Sequence, residues 1–295
     1  MSAETALLLF LSVSASTARG ALSKRLGSSF AGRRRFFFLH FLLFSFAAWF
    51  VFLFRGGTFL PPRGTLLALS LAYGALTVLA QAAYTAALRT CDLSLSGMIY
   101  SFGFLIPTLF GTFVYREAVT PGKAVSLVLV LFTIVLAARR PAGTAAGEGL
   151  SPLLFLAMAA SGGLGVVQKI EQRSGASDAE TAGFLLTAFL FAAWLCLPGA
   201  LIPARTGDRP PIKNSMHGAL SLLLLPAIGA AMALANHANT ALAGKLPSAV
   251  AFPVTNVGVI VASALLSLLF FGEKPSGRRV LAIALGLLSV LLFSL

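Results

Sequence analysis

At 295 residues, 58% hydrophobic and 11% charged, the chain is far too apolar for a soluble domain, and its composition places it in a membrane. Its formal net charge of +13 sits between hydrophobic runs, which points to membrane lipids with anionic headgroups as partners and excludes nucleic acid. Cys91 and Cys196 have no metal-ligand or redox spacing, so no metal and no cofactor is expected.

Ten apolar runs follow one another along the chain, at residues 5–22, 36–54, 64–88, 94–115, 121–138, 150–167, 181–202, 218–243, 246–271 and 280–295. A spanning helix needs roughly 17–25 apolar residues, and most of these runs qualify, with 5–22, 121–138 and 280–295 marginal alone. Lipid offers no partner to backbone N–H and C=O groups, so each run is expected to be a helix. The N-terminus carries Glu4 and no leading basic cluster, unlike a cleaved signal peptide. Thr120 and Ser276 supply capping hydroxyls for the helices that follow them, and Pro121 suits a first helical position.

The sequence repeats itself. One constant offset pairs Gln81 with His237, Tyr84 with Thr240, Tyr100 with Asn256 and Glu117 with Glu273. A second pairs Ser16 with Ser161, Gly20 with Gly165 and Lys24 with Lys169. One insertion in the Pro- and Arg-rich stretch 203–214 accounts for the difference between the offsets. The reading is therefore a first five-helix repeat at 1–140, a linker at 141–149 and a second five-helix repeat at 150–295. Five is odd, so the second repeat must lie inverted in the membrane, an arrangement that recurs among transporters.

The junctions "YREAVTPGK" and "FFGEKPSGRR", with ten spans in two repeats, resemble the EamA-type drug/metabolite transporter superfamily over essentially the whole chain. Gly272-Glu273 and Gly286 match that family's Gly-Glu turn and later helical glycine, whereas the first repeat has Arg116 and Val130 at those places. The resemblance implies an integral membrane carrier working by alternating access, and leaves its substrate open. Glu117 and Glu273 read as structural junctions, capping nearby N–H groups or pairing with neighbouring cations, with a direct coupling role as the alternative.

Polar side chains inside a bilayer are costly and are site candidates by default. The substrate-binding candidates are Ser16, Arg19, Gln81, Tyr84, Tyr100, Asn236, His237, Thr240 and Asn256. Each polar cluster has an alternative use, as interhelical hydrogen bonds holding the bundle together. Inverted repeats place the Gln81 and His237 clusters on opposite sides of the midplane, as two half-sites or as the two ends of one cavity. His237 either couples transport to protons or rests as a neutral imidazole bonded to its neighbours. Arg19 either snorkels to the headgroups or meets a carboxylate or phosphate on the solute. Lys24 and Lys169 read as interfacial anchors, His40 as interfacial or packed, and Trp49 and Trp194 as packed in preference to lipid-facing or cavity-lining. The glycines of Ser161-Gly162-Gly163-Leu164-Gly165 suit close helix approach.

No Asp or Glu falls deep in a span, which favours a neutral, zwitterionic or anionic solute over a quaternary amine. The expected function is a secondary-active carrier, an exporter, of a small polar metabolite such as an amino acid, in a prokaryotic cytoplasmic membrane. It is not read as an enzyme. The alternatives are a membrane enzyme acting on a lipid-linked substrate and a non-transporting receptor or scaffold. An enzyme would need convergent carboxylates, histidines or a metal, whereas His40, His217 and His237 lie on separate segments. Orientation is contested: Lys24, Arg25, Arg33, Arg34 and Arg35 in the first loop tip the positive-inside count toward termini outside, whereas the resemblance implies termini inside.

Overall fold

Helix is the only regular structure that satisfies its own backbone in lipid, and no strand occurs among the described residues. The structure is a computed structural model that describes residues 2–26, 32–54, 57, 59–116, 120–138, 151–202, 215–245, 248–272 and 277–294. In chain order these form α1 (Ala3–Arg25), α2 (Arg33–Phe54), α3 (Gly64–Ala87), α4 (Leu93–Ser101), α5 (Leu105–Tyr115), α6 (Pro121–Ala138), α7 (Pro152–Arg173), α8 (Asp178–Leu201), α9 (Ser215–Lys245), α10 (Ser248–Phe271) and α11 (Gly277–Ser294). Six stretches among them are long and apolar enough to cross a membrane: Ala3–Arg25, Arg33–Phe54, Gly64–Ala87, Leu95–Tyr115, Pro152–Arg173 and Ala179–Leu201. These helices mark an integral membrane protein. Glu117, Glu273 and the linker at 141–149 lie outside the described residues.

Local chemistry sets the helix ends. The Ser2 hydroxyl accepts from the Thr5 N–H at 3.2 Å to start α1, and Ser151 with Pro152 starts α7. Ser177 and Glu180 close a reciprocal capping box at the head of α8. The run at 94–115, expected as one helix, is instead interrupted by a 3-10 turn at Phe102–Phe104 that joins α4 to α5. Pro107 has no N–H to donate to the Gly103 carbonyl, and the chain tightens there. At the far end of α5 Arg116 is left-handed, with φ 53°, and Gly272 after α10 is left-handed too, with φ 61°. The repeat offset pairs these two positions, so an arginine holds the conformation that glycine adopts without strain.

The packing pairs come in matching sets. α1 packs on α9 while α7 packs on α3; α2 packs on α9 while α8 packs on α3. α1 also meets α10 as α7 meets α4, and α2 packs with α8, α6 with α11, α4 with α10, α10 with α11 and α5 with α7. One apolar core forms between α2 and α8, around Leu43, Phe44, Phe184 and Phe189. A second gathers Leu93, Ile99 and Phe102 with Leu154 and Ile260. Backbones touch where α7 crosses the 3-10 turn: a Cβ on Gly162 would lie 2.7 Å from the Gly103 carbonyl oxygen and 2.5 Å from Ile106. Only a residue without a side chain permits that approach.

Two sequence expectations change here. Trp49 and Trp194 take the outward alternative to packing: both are exposed, as are other large apolar side chains such as Phe113 and Phe270. Lipid is the solvent on that face, so a large apolar ring gains nothing further by turning inward. Lys24 and Lys169 are not simple headgroup anchors. The Lys24 ammonium donates to the Cys91 carbonyl at 2.7 Å and lies 5.9 Å from the Phe271 ring; Lys169 is buried and lies 5.7 Å from the Tyr115 ring. Arg173 stacks closer on the same Tyr115 ring, at 3.9 Å. His40 is packed, its Nδ1 bonded to the Phe36 carbonyl at 2.8 Å.

Candidate functional site

A central cavity of about 130 Å³ opens between α1, α3, α4, α7, α9 and α10. Ser16 and Arg19 reach it from α1, Gln81 and Tyr84 from α3, Tyr100 from α4, Asn236 from α9 and Asn256 from α10. Helical periodicity explains the α3 contribution: Tyr73, Thr77, Gln81 and Tyr84 recur every three or four residues along one face. Tyr73 and Gln168 also line the cavity and were missed in the sequence. The signal for Tyr73 was its register with Thr77 and Gln81, and the signal for Gln168 was its place on the Ser161–Gly165 face of α7.

Arg19 points inward and does not snorkel. Its Nη1 donates to Gln81 Oε1 at 3.1 Å, and its guanidinium lies 5.3 Å from the Tyr100 ring centroid. Tyr100 in turn packs on Tyr84, with ring centroids 4.9 Å apart. The Gln81 amide donates onward to Thr85 Oγ1 at 3.2 Å and Ser23 Oγ at 3.4 Å, which fixes the carbonyl that receives Arg19. Among the described residues Arg19 Nε, Thr77 Oγ1 and Ser101 Oγ are buried without a hydrogen-bond partner. All three residues line the cavity, and no Asp or Glu does among the described residues. The site thus presents a cation and unmatched hydroxyls to whatever enters, a set that suits a carboxylate.

The wall opposite Arg19 is a hydrogen-bonded chain across three helices. Gln168 Nε2 of α7 donates to the Tyr73 hydroxyl of α3 at 3.1 Å, and that hydroxyl donates to Asn236 Oδ1 of α9. Asn236 Nδ2 is held by the Met232 carbonyl at 2.8 Å. Asn239 takes a hydrogen bond from Ser12, so α1 and α9 are also joined beside the cavity.

His237 and Thr240 are not brought into this site. Successive helical residues project about 100° apart, and the turn that aims Asn236 at the centre sends His237 into a second, lateral cavity of about 580 Å³. Thr240, Glu171, Gln172, Thr181, Glu4 and Lys245 line that cavity as well. Glu171 is 1% exposed; its Oε1 accepts from the Thr181 hydroxyl at 2.6 Å, while Oε2 is buried with no partner among the described residues. An exposed ion pair of 2.8 Å between Lys245 and Glu4 marks the cavity rim.

No family model and no curated protein matches the chain. A solved structure described only as the crystal structure of a protein is similar over 99% of this chain and 96% of that one, with a TM-score of 0.63 and 17% identity. At that identity the likeness speaks to the fold alone: the whole length follows an architecture that another protein also adopts.

Proposed function

We propose that the chain is a ten-span secondary carrier of the EamA-type drug/metabolite transporter kind. It exports a small polar metabolite bearing a carboxylate, an amino acid above all, by alternating access in a prokaryotic cytoplasmic membrane. Two inverted five-helix repeats rock about the central cavity. The paired packing supports this reading: exchanging the halves converts α1 on α9 into α7 on α3, and α2 on α9 into α8 on α3. The same exchange converts Lys24 over Phe271 into Lys169 over Tyr115. Both pairs follow the two offsets of the sequence repeat.

The observation that carries the substrate class is Arg19, a guanidinium inside a cavity with no acidic residue in its lining among the described residues. An unmatched buried charge is costly, and a solute carboxylate supplies the counterpart. The cavity, about 130 Å³, is small beside pockets of roughly 300–1,000 Å³ that hold drug-sized ligands, which favours a metabolite. The test is counterflow in proteoliposomes, with radiolabelled amino acids, organic anions and quaternary amines as separate probes. Exchange of amino acids or organic anions, lost in Arg19→Ala, is the expected result. Exchange of quaternary amines alone would sink the substrate class, and absence of all exchange would sink the carrier reading.

A further inference from the structure

The central cavity leaves one buried charged group unexplained. Glu171 sits in the last turn of α7, where the helix dipole disfavours a negative charge. One of its oxygens has a hydroxyl donor and the other, Oε2, has none among the described residues, although the side chain is 1% exposed. No cation among the described residues is paired with it. On α7 itself Lys169 and Arg173 are turned to the Tyr115 ring at the end of α5. From α9 come His237, which is exposed, and Lys245, which is tied to Glu4 of α1 at the rim. From α2 come Val51 and Phe54, and from α8 Thr181, Ala182 and Leu185. The Tyr73 hydroxyl of α3 is engaged with Asn236 and Gln168.

We propose that Glu171 carries the coupling proton of the carrier, loaded from water through the lateral cavity. This deepens the carrier reading and rests on it. A carboxylate shut away from water and left half-matched is a costly ion, and a proton removes that charge without needing added room. The proton comes from bulk water past the Lys245–Glu4 rim and binds Oε2. Glu171 stands one helical turn from Gln168, which belongs to the wall of the central cavity. When the lateral cavity closes, the way out for the proton is past Gln168 into the centre, and from there to the opposite solution. The same helix thus touches both the solute and the proton. His237 lines the same cavity but is exposed, so it is not shut away as Glu171 is.

Infrared pH titration of the full chain in lipid tests the proton site without any solute. Among the bands of its nine Asp and Glu side chains, the wild type should show a pH-dependent protonated-carboxyl C=O component at the high wavenumber of a group shielded from water, lost in Glu171→Gln and restored, shifted, in Glu171→Asp. Persistence of that high-wavenumber component in Glu171→Gln overturns the proposal. Proteoliposomes and a radiolabelled amino-acid mixture test the coupling. Glu171→Gln should keep counterflow, which needs no gradient, and lose the accumulation that an imposed pH gradient drives. Accumulation that survives in Glu171→Gln, or that is lost in His237→Ala instead, overturns the proposal and leaves the carrier reading in place. Failure of counterflow in the wild type, with the infrared band lost in Glu171→Gln, overturns the carrier reading and leaves the proton site standing.

Discussion

The two cavities share α1, α7 and α9 and are opposite in charge. The central one holds a guanidinium and no carboxylate; the lateral one holds a buried carboxylate with no paired cation among the described residues. Neither charge is repeated. The offset that links Lys24 to Lys169 places Leu164 opposite Arg19 and Leu26 opposite Glu171. The packing pairs named above therefore follow the sequence repeat, whereas these two charges depart from it. Asn236 and His237 show how sharply the regions separate, since adjacent residues on one helix serve different cavities.

The largest expected effect breaks the central side alone. Arg19→Ala should abolish any rise in melting temperature produced by a carboxylate solute, a rise that mass action gives to whatever ligand the native state binds. The Glu171 carboxyl band should stay unchanged in the same variant, because the two groups belong to separate cavities. Next comes α7, one of the helices that both share. Gly162→Val would force α7 away from Gly103 and Ile106, costing about 1–3 kcal/mol and read as a lower melting temperature. Tyr73→Phe strikes the partition on the α7 and α9 side of the centre. It leaves the Gln168 amide without an acceptor and Asn236 Oδ1 without its donor, a cost of about 1–3 kcal/mol that water entry reduces. Lys245→Met is the smallest: its pair with Glu4 is exposed and screened, so stability should move by no more than about 1 kcal/mol.

Much of the fold was legible because hydrophobic run length is a direct physical signal in lipid. Ten runs correspond to the described helices, with the run at 94–115 divided between α4 and α5. The division escaped the pattern because Phe102, Gly103 and Phe104 are as apolar as their surroundings, and only Pro107 hinted at it. Of the candidate site residues, Ser16, Arg19, Gln81, Tyr84, Tyr100, Asn236 and Asn256 share one cavity, whereas His237 and Thr240 share the other. Sequence proximity joined Asn236 to His237; the 100° step between them separates the two. Glu171 went unremarked because it lies beyond the apolar run that ends at Val167, where a charge reads as the end of a span. In the folded chain α7 continues to Arg173, and the neighbouring helices bury the carboxylate.

The two outward-facing tryptophans have a practical consequence. They are the only tryptophans in the chain, and the offset that pairs Lys24 with Lys169 also pairs Trp49 with Trp194. Both indoles lie against lipid, 52% and 61% exposed, on α2 and α8. Tryptophan fluorescence, excited where tyrosine does not absorb, therefore reports the outer face and not the polar interior. The inverted repeat proposed above would set the two indoles at mirrored depths in opposite leaflets, so a quencher fixed at one acyl depth in both leaflets should dim them alike. A quencher confined to one leaflet would dim only one, and with Trp49→Phe and Trp194→Phe variants that difference would show which way the chain is threaded.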